Sequence, residues 1–168
     1  MGTLYIDTGG ATTNSGSRDA NSAALSGAAA TVVGSVVTLD GSPDLSSVQT
    51  SGATQDTIHL NDASNSNQKI FWITAVDDIA KTVTVSVAPT GVVSSAWAIG
   101  GRFVWTAASI EAALRAGDVV TINNSPASAS ADWLTTRVSG SSAAGFITMK
   151  GKTGVRPVIT VTNTTQCI

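Results

Sequence analysis

The sequence predicts a mainly β chain in two parts: a five-stranded antiparallel small barrel, inserted into a run of short strands that follows one helix. Three observations lead there. The composition leans to small and β-branched residues, with 16 glycines in 168 residues, 12% charged and 5% aromatic, which favours strands and turns. Residues 36–100 carry strand-like segments at near-regular spacing. Beyond residue 105, one amphipathic stretch precedes short strands at irregular intervals, as in the coils of a solenoid.

TLYID (3–7) reads as a strand, followed by the polar, turn-forming GGATTNSGSRDANS (9–22). Residues 20–30 are rich in Ala, Ser and Gly and show no period that assigns them to helix or strand. The barrel strands are VVTL (36–39), DTIHL (56–60), KIFWITAV (69–76), TVTVSV (82–87) and AWAI (96–99). In TVTVSV the residues Val83, Val85 and Val87 share one face, the period-2 pattern of a half-buried strand. GSPDL (41–45) has turn chemistry, and VDDIAKT (76–82) suits a hairpin loop with Asp77 and Asp78 in the turn. TAASIEAALRAG (106–117) is the one convincing helix, with Ile110, Ala113 and Leu114 on one face and Gly117 at its C-terminal stop. VVTI (119–122), WLTTRV (133–138), FITMKG (146–151) and PVITVT (157–162) follow as strands.

Several classes are excluded. Nine basic and eleven acidic residues leave a net charge of −2, which is no footprint for nucleic acid. No apolar run approaches the ~20 residues that cross a bilayer, so no membrane insertion is expected. MGTLYIDTGG lacks the basic and apolar regions of a secretory signal. Cys167 is the only cysteine, so neither a disulfide framework nor a cysteine zinc site is expected.

The chemical motifs are weak, and no catalytic, cofactor-binding or metal-ligating residue is assigned. Asp7-Thr8-Gly9 has the letters of an aspartic-protease loop, yet only six residues precede Asp7, and a strand ending in a turn is the better reading. GKTG (151–154) lacks a phosphate loop's first glycine, since Phe146 stands there. His59 is the sole histidine and is read as a satisfied strand residue. Asp56, Asp62, Asp77 and Asp78 could gather on one side of the barrel as a weak calcium site, though without EF-hand spacing. Trp72 and Trp97 are expected to fill the barrel core, and with Trp105 and Trp133 they are the richest contact material.

LYIDTGGATTNSGSRDA (4–20), SIEAALRAGDVVTI (109–122) and SGSSAAGFITMKGKTGVRPVITV (139–161) together resemble the N-terminal end of right-handed parallel β-helix proteins, the pectate-lyase-like group. The resemblance implies the start of a right-handed parallel β-helix with a short N-terminal cap helix. Its residues would be 1–30 and 101–168, with the small barrel inserted at 31–100. Ile110, Ala113, Leu114, Gly117 and Asp118 would form the structural cap: a charged replacement at Leu114 should damage folding, while Asp118→Asn should cost little activity.

The family spans polysaccharide lyases and hydrolases, phage tailspikes and adhesins, so fold alone does not name chemistry. About two rungs follow the helix, and the last residue, Ile168, is apolar. A longer natural chain, or burial of this end against another chain, is therefore expected. Trp133, Cys167 and Ile168 are the candidate interface. The functional expectation is a structural bacteriophage virion protein, a tailspike, tail-fibre or capsid-decoration component assembled in the host cytoplasm. It would need no cofactor, and its partners would be other virion proteins and itself, as a homo-oligomer with a trimer favoured. A host-surface glycan is a further candidate partner. The alternative is the N-terminal part of a polysaccharide-degrading or glycan-binding β-helix protein, with a bacterial adhesin third.

Overall fold

The structure, a computed structural model, describes residues 1–7, 10–64, 68–92, 94–104, 113–123 and 148–153. Its strands in chain order are β1 (Thr3–Asp7), β2 (Leu25–Val33), β3 (Val36–Leu39), β4 (Thr57–Leu60), β5 (Ile70–Asp77), β6 (Thr82–Val85), β7 (Ser95–Ile99), β8 (Phe103–Val104), β9 (Val119–Ile122) and β10 (Thr148–Gly151).

Six of these close an antiparallel barrel in the order β2-β3-β6-β5-β4-β7, with β2 pairing to both β3 and β7. Alternation puts Val37, Leu39, Ile58, Leu60, Phe71, Ile73, Val83, Val85, Trp97 and Ile99 inside, where Leu45 and Val48 from the β3–β4 connection join them. Burying a side chain of this size stabilises by roughly 1.5–3 kcal/mol. Turn chemistry sets the hairpins. Gly34 takes φ 60° between β2 and β3. Asp77 accepts the N–H groups of Ile79 and Ala80 at 2.9 and 2.8 Å before β6 begins.

The other four strands form a parallel sheet in the order β10-β9-β1-β8. Leu4 pairs with Val120, and Met149 with Val120 on its other side. The barrel is threaded between β1 and β8, which are neighbours in this sheet. Ile70 and Trp72 alternate with Phe71 and Ile73 along β5, so this strand is buried on both faces. Its outward pair packs with Leu4, Ile6, Phe103, Ala113, Leu114 and Val120 in a second core between barrel and sheet.

This architecture corrects the expected fold class in three respects. The barrel has six strands, because Leu25–Val33 closes it; low-propensity Ala and Gly hide that strand in the sequence. A solenoid needs each coil to feed more than one sheet, whereas a single parallel sheet is present among the described residues, so no parallel β-helix is seen in them. Nor is there a helical element among them. Ala113 alone has helical backbone, residues 116–117 form a turn, and the 105–112 part of the expected cap helix lies outside the described residues. WLTTRV and PVITVT lie outside them too.

Candidate functional site

The chain crosses from sheet to barrel through residues 10–24 and returns through 100–102. The two crossings lie side by side. Ser15 N–H donates to the Gly100 carbonyl at 3.1 Å, Gly16 N–H to Gly101 at 2.9 Å, and Arg102 N–H to Ala20 at 2.7 Å. The Asn14 amide donates to the carbonyls of both Asn21 and Arg102. Gly101 has φ 75°, and a Cβ there would meet Asn14 Cγ at 2.7 Å, so this close approach requires glycine.

Charge fastens the same junction. Arg102 donates to Asp7 at 2.9 Å, Asp19 at 2.7 Å and Asn21 Oδ1 at 2.7 Å. Asp19 also accepts from Lys152 at 2.8 Å and Asn123 at 2.6 Å. The hydrogen bond from Lys152 is the largest cause that pulls the Asp19 carboxyl down to about 2, with Asn123 and Arg102 adding to it. On the barrel side, Arg18 holds the buried Asp56 through two bonds of 2.9 and 2.7 Å, while Ser17 Oγ and Gln49 N–H donate to the same carboxylate. On the sheet side, buried Asp118 accepts from Gly2 N–H and Arg115 N–H. The Arg115 guanidinium lies 4.0 Å from the Trp72 ring, whose Nε1–H donates to the Ala113 carbonyl at 2.7 Å. These carboxylates are structural acceptors held by cations and N–H groups, and none stands ready as a free acid or base.

His59 differs. It points outward from β4 between the inward Ile58 and Leu60, yet only 3% of it is exposed. Its ring lies 6.1 Å from that of Phe103, and no described residue hydrogen-bonds its nitrogens. Burial, with the charge of Lys69 adding to it, pushes the imidazole down to about 4, so it is neutral at pH 7. Register aligns Ser26, Ala98 and His59 in a row across β2, β7 and β4. Over this row lies a half-open trough of about 520 Å³, walled on one side by Thr13, Asn14, Ser22 and Ala23 and reached also by Asn61, Ala96 and Trp97. A Cβ on Gly27, which also lines it, would collide with Asp40 Oδ1 and the Trp97 indole.

Of the expected cap residues, Ala113 and Leu114 are buried in the second core, Gly117 takes φ 85° and Asp118 is fully buried, while Ile110 lies outside the described residues. Trp133, Cys167 and Ile168 lie outside them as well, as does Trp105. Trp97 fills the barrel core, but Trp72 sits in the seam below it. The four barrel aspartates are not brought together. Asp56 pairs with Arg18, Asp77 caps its turn, Asp78 takes Leu45 N–H and Lys81, and Asp62 takes Asn61. No metal-binding group of three such ligands occurs among the described residues.

Sequence reasoning did not single out Arg18, Asp19 and Arg102. Their signal was present as an isolated Arg-Asp pair in an otherwise uncharged polar loop and an Arg directly after Gly-Gly. No family model, curated protein or solved structure matches the chain.

Proposed function

We propose that the chain is a structural component of a bacteriophage virion, a tailspike, tail-fibre or capsid-decoration piece, that mediates assembly through its β domains. The observation that carries this reading is the mounting of the barrel. A closed barrel is clamped onto a parallel sheet by paired backbone crossings and by the Arg102 and Arg18 ion pairs, as suits a body that must transmit position rather than perform chemistry. The small, hydroxyl-rich composition, by analogy common in phage appendages, supports the same reading. Self-association into a closed, trimeric assembly would cover the exposed apolar side chains at the barrel's β2–β3 turn and just past β6, Val33, Val36 and Val87.

Sedimentation equilibrium tests it. The expected result is a species of three 16.9 kDa chains, and association that weakens when Val33 is replaced by Asp. A chain that stays monomeric at every concentration overturns the reading.

A further inference from the structure

We infer that the trough on the outer β2–β7–β4 wall binds a neutral, polyhydroxylated ligand, one sugar residue of a glycan, through the His59 imidazole and the hydroxyl and amide groups around it. This goes beyond the assembly reading and does not depend on it.

Three observations carry it. First, the eleven residues that line the trough include no Asp, Glu, Lys or Arg, and Lys69, whose charge reaches His59, gives its ammonium to the Asn61 carbonyl, so the lining itself offers a charged ligand no counter-charge. Second, His59 is a polar side chain more than nine-tenths buried that lines the trough and lacks a partner among the described residues. A neutral imidazole presents one N–H donor and one lone-pair acceptor, and a hydroxyl group, itself both donor and acceptor, answers either nitrogen. Third, room exists because the outward positions of β7 are Ala96 and Ala98, which place only methyl groups on the floor. Ser26, Thr13 and Ser22 around it are exposed, and none of their hydroxyls is bonded to a described residue. At about 520 Å³ the space falls within the ~300–1,000 Å³ typical of small-molecule sites. A divalent metal is a poorer occupant, since no second His, Cys, Asp or Glu lines the trough with His59.

The single histidine makes the test direct, because its imidazole C–H signals in a carbon–proton correlation spectrum need no further assignment. The full chain is titrated separately with glucose, galactose, N-acetylglucosamine, rhamnose and, as the charged probe, sodium phosphate. A saturable shift of the His59 signals with at least one sugar, and none with phosphate, is the expected result. Ala96 is exposed, so Ala96→Phe fills the trough without touching the core and should abolish that shift. His59→Gln, followed by calorimetry, should weaken the same sugar by about tenfold, the worth of one hydrogen-bonded polar contact. No saturable shift with any of the four sugars overturns the inference. So does saturation by phosphate alone, or an undiminished shift in Ala96→Phe.

Discussion

The backbone N–H of Gly2 donates to the Asp118 carboxylate at 2.7 Å across 116 positions of sequence. The same carboxylate accepts Arg115 N–H at 2.8 Å, and next door Val119 N–H returns a bond to the Gly2 carbonyl at 2.9 Å. The first strand and the ninth are thus set in register where each begins, by one buried acid.

Asp118→Asn keeps the shape of this corner but replaces one acceptor oxygen with a donor that faces N–H groups. It should lower stability by about 1–3 kcal/mol. Urea unfolding checks this through a lower midpoint at unchanged slope. A variant as stable as the parent would show that the Gly2 and Arg115 bonds count for little.

Acid should destabilise the protein in two steps. The His59 pKa is lower folded than unfolded, about 4 against 6.5, so the unfolded chain takes up the proton first. Stability is therefore complete above 6.5 and declines as pH falls toward 4, by up to about 3 kcal/mol. Asp19 is depressed from 3.8 to about 2, so its contribution is present above 3.8 and lost as pH falls through 2. Asp19 is partly exposed, and solvent screening keeps the second step small. Unfolding free energies measured from pH 7 to 2 should show His59→Gln flattening only the upper step and Asp19→Asn only the lower.

Arg18→Leu should cost about 3 kcal/mol, because it strands Asp56, 1% exposed, without its cation. Asp56→Asn added to it removes the stranded charge, and the double variant should be more stable than the single one. A double variant below the single would contradict this origin of the cost.

Gly41 and Gly101 have nearly the same positive φ, 74° and 75°, but only at 101 does a Cβ meet protein atoms. Alanine at 41 should cost about 1–2 kcal/mol from backbone strain alone. At 101 the overlap with Asn14 and with the Ser22 backbone should add a further ~1–3 kcal/mol. Equal losses in thermal melts of the two variants would mean that both Asn14 and the Ser22 backbone yield.

The period-2 segments were legible. VVTL and VVTI are strands over their full predicted spans and AWAI lies within β7, whereas DTIHL, KIFWITAV and TVTVSV each begin or end outside the strands observed, Thr57–Leu60, Ile70–Asp77 and Thr82–Val85. Their alternation and β-branched content are local properties, visible without tertiary context. The β2 strand was not legible, because LSGAAATVV is held by pairing to β3 and β7 on either side, not by its own propensity. The candidate site was less legible still. The neutrality of His59 depends on a loop folding back over β4, and Trp72 reads like Trp97 in sequence until β5 proves to be buried on both faces. The ion pairs of Arg18, Arg102 and Lys152 join residues 38 to 133 positions apart, a distance at which local pattern carries no information.

Because Ser15 and Gly100 stand one hydrogen bond apart, the 84 residues between them begin and end at the same spot. Removing that stretch would leave a gap that two or three residues could bridge, and another closed domain with adjacent termini could be grafted in its place without rethreading the sheet. Away from the seam that Ile70 and Trp72 share with the sheet, the platform and its cargo are therefore free to change at different rates, and diversity can accumulate where the barrel meets the outside.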